Sequence, residues 1–516
     1  MMDDARRSSS RSTSLLAGLL FGGCILGLLS GCSGGPMGSS YEAERACWKA
    51  GRMEQRLGLR PQAGIDAMRP AMRAYEQVLA RYPLAAAGRD PDLRRSLTRS
   101  RILAARRLAG LRLAAGQRAQ AGQVLWDLRN EAVGDPAMAV EFFGDLLQTM
   151  ALAGSADSLA DVCREMYTKL PPAQTDGSPF LPVLQAPMAR ISAYASAGRS
   201  GEAEAAIADA LSYYDRVTQE HPATATEVVA LTLKADLLAR NRRVPEAVAV
   251  LEQARSLPTA GELAPGIGFL LGQLLEQLPD TPGAAVRVYR EVFRDFPGKS
   301  AGLQAGIRLA VMLASAGQPD SALAVLDRVG LDSPRDPENA AQARFQKGLV
   351  LAASGRKSDA IRELRAVATD FPRTRAGLLA PIQVAEYYRA GNDSLAMRAT
   401  LQEAEQGYEL LIADLRSDPA QGPLVMMAID RLLDARLRLR DWTRLARLLE
   451  DRANAFPRDQ RSPSALVEAA QILDGKLGDR QGSIRVLQAL ISKYPTHPLA
   501  KAARDRVTRS GGSSGS

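Results

Sequence analysis

Few side chains in this 516-residue chain could do chemistry, and they are scattered. The two histidines, His221 and His497, each stand immediately before a proline, and neither has a cysteine nearby. A zinc-type centre needs three or four converging ligands, so no metal site is expected. Gly266, Gly268 and Gly272 supply glycines of the sort that let a backbone cradle a phosphate. Their last spacing is wrong for that, however, and no strand precedes them. The chain contains no phosphate-loop Lys-Ser/Thr, no Gly-x-Ser-x-Gly and no His-Glu-x-x-His. Its carboxylates lie among arginines, as on solvated helix faces. No catalytic residue, metal site or bound cofactor is expected, and the chain is read as a non-enzyme. Among the thiols, Cys163 takes a position that other parts of the chain give to leucine, so it reads as core. Nothing in the sequence brings it to Cys47. Cys32 is different, because it closes an apolar run.

That run is Leu15 to Leu29, uncharged and preceded by Arg6, Arg7 and Arg11. It is short for a membrane-spanning helix, which needs about 20 residues, and it suits a secretory signal. The run ends in Leu29, Ser30, Gly31 and Cys32, which resemble the lipobox of bacterial lipoproteins. The resemblance implies diacylglycerylation of the Cys32 thiol, cleavage before it, and acylation of the new amino terminus. A covalent lipid on Cys32 would then be the only non-protein group. Ser33, rather than Asp, follows the cysteine. In enteric lipoproteins that permits transfer to the outer membrane, so the expected address is its periplasmic face, with the inner membrane as the alternative. Ser33 to Ser40 reads as a flexible polar tether.

The elements that follow carry helical periodicity separated by Gly and Pro, with no strand-like alternation. One pattern is written twice between Leu303 and Pro372. Gly317, Ala322, Leu326, Val329 and Pro334 are matched by Gly355, Ala360, Leu364, Val367 and Pro372. Each copy predicts a helix, a tight turn at glycine, a second helix and a stop at proline. Such a hairpin cannot bury both faces alone and must stack on copies of itself. Related copies surround Gly116, Gly154, Gly198 and Gly478, and others keep only the second helix, as at Ala71, Tyr75, Val78 and Pro83 or Ala285, Tyr289, Val292 and Pro297. About eleven hairpins are expected, with Leu499 to Val507 as a final covering helix.

This spacing resembles the tetratricopeptide repeat, whose pattern is W-x2-L-G-x2-Y…A-x3-F…P. The likeness covers roughly residues 52 to 509. Its longer period and aromatic-Pro endings, as at Phe371-Pro372 and Tyr494-Pro495, are similar to periplasmic tetratricopeptide lipoproteins of the β-barrel-assembly accessory type, which have fewer repeats. It implies an all-α solenoid wound as a right-handed superhelix. The expected organisation is a signal peptide over 1–31, an anchor, tether and helix start over 32–51, the solenoid over 52–509, and a disordered Gly/Ser tail over 510–516. In the family, first-helix side chains line a groove for peptides or partner helices. On this chain that face maps to Ile307, Val311, Phe345, Leu349, Tyr388 and Arg389. The competing reading is that Phe345 and Leu349 simply pack against the next hairpin.

Charge narrows the partners. Lys and Arg number 66 against 57 acids, net +9, with no clustered basic block of the kind nucleic acid requires. The reading is a membrane-anchored scaffold for envelope proteins or peptide segments, held to the bilayer by N-terminal acyl chains and binding no nucleic acid. One alternative is a glycan-capturing uptake lipoprotein, for which Trp48, Trp126 and Trp442 offer little platform. The other is the superhelical part of a cell-wall lytic enzyme, for which the repeats leave no room for a catalytic domain.

Overall fold

A computed structural model describes residues 36–58, 65–133, 136–153, 155–174, 177–279 and 282–511. The lipobox residues Leu29, Ser30, Gly31 and Cys32 lie outside these. Among the described residues there are 23 α-helices, three short 3₁₀ turns and no strand. In chain order the helices pair as eleven hairpins followed by one closing helix.

The described residues form two compact units, divided between Leu233 and Lys234. The first holds α1 (Pro36–Gly58), α2 (Ile65–Arg81), α3 (Pro91–Ala114), α4 (Arg118–Ala132), α5 (Pro136–Ala153), α6 (Ala156–Lys169), α7 (Leu181–Ser196), α8 (Ser200–Glu220) and the start of α9 (Ala225–Arg240). The second holds the rest of α9, then α10 (Val244–Ser256), α11 (Ala264–Leu275), α12 (Pro282–Asp295), α13 (Ser300–Ser315), α14 (Pro319–Asp332), α15 (Pro337–Ala353), α16 (Lys357–Asp370), α17 (Arg375–Ala390), α18 (Ser394–Leu415), α19 (Gly422–Leu439), α20 (Trp442–Ala455), α21 (Ser462–Gly475), α22 (Arg480–Lys493) and α23 (Pro498–Gly511). Within each unit first helices also touch first helices: α1 with α3 and α3 with α5, then α11, α13, α15, α17 and α19 in succession.

The turn inside each hairpin explains the glycine spacing. Gly317 has φ 76° and Gly355 φ 80°, a left-handed conformation that a side chain disfavours. The residue after each donates back to the carbonyl five positions earlier, Gln318 to Leu313 and Arg356 to Leu351, both at 2.9 Å. This bond satisfies a helix-end carbonyl that would otherwise lack a donor. Three turns use non-glycine residues in the same conformation: Arg242, Asn392 and Arg440.

Small residues then let helices approach closely. A Cβ on Gly272 of α11 would lie 2.4 Å from the Tyr289 ring of α12, and one on Gly268 would lie 2.5 Å from Val292. These glycines, which looked like half of a phosphate loop, are helix-packing positions.

Two boundaries differ from the sequence expectation. α1 begins at Pro36, inside the stretch read as a tether. Proline is well placed in a first helical turn. Further along, Ala43, Cys47 and Ala50 form a buried stripe packed with Tyr75 and Leu97, and that burial holds a helix that Ser and Gly alone would not. At the other end α23 runs to Gly511, two residues into the expected tail.

Candidate binding grooves

The six residues picked from the first-helix face do not form one surface. Ile307 and Phe345 are only 6% and 5% exposed. Phe345 packs with Leu364, Val367, Ala376 and Ala380, and half-buried Leu349 and Tyr388 join the same cluster. Ile307 and Val311 belong to another hairpin. Arg389 is exposed and paired with Glu386 at 2.7 Å. Packing against the next hairpin therefore accounts for Phe345 and Leu349, because a large apolar side chain gains more from full burial than from a wet groove.

Two of three open spaces lie between second helices. In the second unit one groove of about 530 Å³ runs between α12 and α14 over Leu309 and Leu313 of α13. It carries Arg294 and Arg328, but these are already paired, with Asp295 at 2.7 Å and Asp332 at 2.8 Å. In the first unit a space of about 420 Å³ is lined by Leu84, Arg94, Thr98 and Met138. A third, about 380 Å³, lies between α16 and α18 with α17 beneath it. It falls within the size range of ligand clefts, and two of its polar side chains, Thr400 and Glu403, have no partner among the described residues.

That third groove is built around a proline. Pro381 sits inside α17 and has no N–H to offer the Gly377 carbonyl four residues back. The Tyr408 hydroxyl of α18 donates to the neighbouring Leu378 carbonyl at 2.7 Å, pinning α18 to the disturbed turn. Burial raises the Tyr408 phenol well above its ordinary range, so it remains a donor. Around this pin lie Thr400, Glu403, Gly407 and Leu411 of α18, Arg365 and Ala368 of α16, and Pro372 just after it. Thr400 is 6% exposed, and its buried hydroxyl has no hydrogen-bond partner among the described residues. Glu403 is exposed and enters no ion pair among the described residues. Arg365 lies over the Tyr388 ring, 5.8 Å from its centre.

The first unit repeats this construction without the groove. Pro187 sits inside α7, and the Tyr214 hydroxyl of α8 donates to the Leu184 carbonyl at 2.9 Å, again thirty residues earlier. α8 and α18 are also the two longest second helices among the described residues, 21 and 22 residues. Setting Pro187 against Pro381 and Tyr214 against Tyr408 aligns Arg190 with Val384, Ala206 with Thr400, Asp209 with Glu403 and Tyr213 with Gly407. The preceding helices align through Arg164 and Arg365, Thr168 and Thr369, and Pro171 and Pro372, which sets Tyr167 against Ala368. Tyr167, Arg190 and Tyr213 thus occupy the positions of three small groove-lining residues. Their side chains form one packed group. Arg190 Nη1 donates to the Tyr167 hydroxyl at 2.7 Å and to Asp209 at 2.8 Å, and the Tyr167 and Tyr213 rings lie 5.1 Å apart.

The thiols are structural. Cys47 and Cys163 are buried and unbonded to each other. Burial first, then the Glu44 carboxylate, pushes the Cys47 thiol up to about 11, while burial pushes Cys163 up to about 12 against the opposing pull of Arg190. Neither offers a thiolate for chemistry near neutral pH. His497 caps the last helix, its Nδ1 accepting from the Leu499 amide at 3.2 Å. Among the described residues no group of three or more His, Cys, Asp or Glu could hold a metal ion, and no helix is long and apolar enough to cross a membrane.

Three solved structures are similar to this chain. A tetratricopeptide repeat protein from Parabacteroides merdae is 13% identical, covering 55% of this chain and 98% of its own, with a TM-score of 0.29. Yeast Tom70 is 14% identical, covering 92% and 97%, with a TM-score of 0.39. A repeat protein from Cytophaga hutchinsonii is 11% identical, covering 58% and 94%, at 0.29. No curated protein matches by sequence. Residues 464–497, from α21 through α22, match the family model of the tetratricopeptide repeat. The chain is an all-α array of tetratricopeptide-like hairpins.

Proposed function

We propose that this chain is a non-enzymatic scaffold, tethered by acylated Cys32 to the periplasmic face of the outer membrane, that binds protein segments in a cell-envelope assembly. The observation that carries the binding half is the groove between α16 and α18. It is an open space on a packed array, lined by a carboxylate and a buried hydroxyl that no group among the described residues satisfies. Hairpins occupy nearly all of the described chain, and they hold such grooves on rigid helices. The tether half rests on the sequence from Leu29 to Cys32 alone. Acylation at two or more positions gives a lasting hold, whereas one chain gives only a weak one.

Two measurements test the two halves. Metabolic labelling with an alkyne fatty acid should mark the wild-type protein and not Cys32→Ser. Photoreactive residues placed at exposed Leu331, Arg389 and Leu410 should crosslink discrete envelope proteins in cells. Absence of label would remove the anchor. A crosslinking pattern no different from that of a non-binding control would remove the scaffold.

A further inference from the structure

We infer that the groove between α16 and α18 receives a segment of a partner protein that presents a basic side chain beside an aromatic ring. This deepens the scaffold reading and rests on it. The template for the occupant lies in the chain itself. Over α7 the corresponding space is filled from within: the Arg190 guanidinium is bonded to Asp209, and the rings of Tyr167 and Tyr213 pack beside it. Over α17 the carboxylate is kept, as Glu403, but the arginine has become Val384 and the rings have become Ala368 and Gly407. The missing parts are a cation and an aromatic surface.

The remaining groups select the same chemistry. Glu403 offers a carboxylate with no ion-pair partner among the described residues. Thr400 adds a buried hydroxyl with no partner, where α8 has only Ala206. Pro381 leaves the Gly377 carbonyl without its helical donor. These are acceptors short of donors. A guanidinium brings five N–H donors and an ammonium three, and charge-assisted bonds to them are about twice as strong as neutral ones. Arg365 does not reverse this preference, because it is matched by Arg164 in the filled copy and is itself stacked over Tyr388. The bare backbone at Gly407, beside Leu411, leaves a flat apolar place for a ring. About 380 Å³ holds a pair of side chains from a docked segment, not a folded domain.

The test uses the purified full chain in mild detergent and fluorescein-labelled octapeptides in a Gly/Ser background. One series carries Arg and Tyr at varied spacing, and control series replace Arg by Glu or Tyr by Ala. Fluorescence anisotropy should show saturable binding at one spacing of the Arg/Tyr series, weakened at least tenfold in either control. Glu403→Gln should weaken it about tenfold. The triple variant Ala368→Tyr, Val384→Arg, Gly407→Tyr, which gives the groove the side chains of the filled copy, should abolish it. Thr400→Val, nearly isosteric, gives a second reading that does not depend on the triple variant folding, and should weaken binding severalfold. Equal binding of all peptides, or binding indifferent to Glu403→Gln and Thr400→Val, overturns the inference. So does a dimer, seen by sedimentation, that the triple variant dissociates, since the occupant would then be a second copy. Failure here is separable from failure of the scaffold reading: if only this inference is wrong, discrete crosslinks form in cells and persist in Glu403→Gln and Thr400→Val.

Discussion

The α7–α8 and α17–α18 hairpins share a backbone design and differ in what fills it. Each has a proline inside its first helix and a buried tyrosine on its second that donates to the carbonyl three residues before that proline. Proline interrupts the helical bond ladder and usually destabilises a helix interior by about 3 kcal/mol or more. A hydroxyl aimed at the disturbed turn offsets part of that cost and fixes where the second helix lies. Over α7 the space is then closed by Tyr167, Arg190 and Tyr213. Over α17, smaller residues leave it open. The difference teaches that the groove arises by subtraction of side chains from a shared frame, with no change of backbone plan.

If that is right, the pinning tyrosines should show the largest and the most unequal effects. Tyr214→Ala empties a site packed on every side, including the Tyr213 ring at 5.5 Å, and should cost about 3–5 kcal/mol. Tyr408→Ala should cost about 1–2 kcal/mol less, because water already reaches the adjoining groove and can enter the space left behind. Urea unfolding followed by circular dichroism measures both. Equal losses would mean the two sites are equally sealed, and the comparison would fail.

Next comes the filling itself. Arg190→Met keeps an apolar stem but leaves the buried Tyr167 hydroxyl without its partner, which should cost about 1–3 kcal/mol. Val384 at the matching position is buried in the Phe345 cluster but borders the groove, which gives a longer side chain somewhere to go. Val384→Met should therefore cost only about 1 kcal/mol or less. A large loss at Val384 in the same unfolding assay would show that the groove is too tight to admit a side chain.

These contrasts mark where sequence reading succeeds. Most hairpins were legible because eight described turns carry a left-handed residue, and glycine at Gly116, Gly198, Gly317, Gly355 and Gly478 announces it. Arg242 and Arg440 adopt the same conformation without glycine, so those hairpins were visible only through weaker apolar spacing. The first-helix face misled at Ile307 and Phe345, because apolar periodicity marks a buried stripe and cannot say whether a neighbour covers it. The groove left almost no signal, since Ala368, Val384 and Gly407 look like ordinary helix residues and only their comparison with Tyr167, Arg190 and Tyr213 shows what is missing. The signal that could have found it is Ala-Pro inside a helical pattern, at Ala186-Pro187 and again at Ala380-Pro381, with a tyrosine at the same distance downstream of each.

The hydroxyl pin can be tested apart from packing. Tyr214→Phe and Tyr408→Phe each remove one buried hydrogen bond, worth about 1 kcal/mol. Pro381→Ala restores an N–H to the Gly377 carbonyl and should straighten the turn that offers the Leu378 carbonyl to Tyr408. In that background Tyr408→Phe should cost less, giving a coupling of at least about 0.5 kcal/mol in a double-mutant cycle. Additive losses would mean that the tyrosine acts only through its ring.

The smallest expected effect lies in the turns of the same two hairpins, which align Gly198 with Asn392. Both residues are left-handed, at φ 71° and 57°. Asparagine tolerates that region better than most side chains yet still meets a Cβ clash that glycine avoids, while glycine loses more backbone entropy on folding. The two terms oppose, and the clash is the larger where the left-handed turn is enforced by a bond such as that from the Asp393 amide to the Tyr388 carbonyl at 2.9 Å. Asn392→Gly should therefore gain, and Gly198→Asn lose, about 0.5 kcal/mol each, read as opposite shifts of the unfolding midpoint. Shifts of the same sign would show that the two turns are held by different neighbours, and that the common frame ends before the turn.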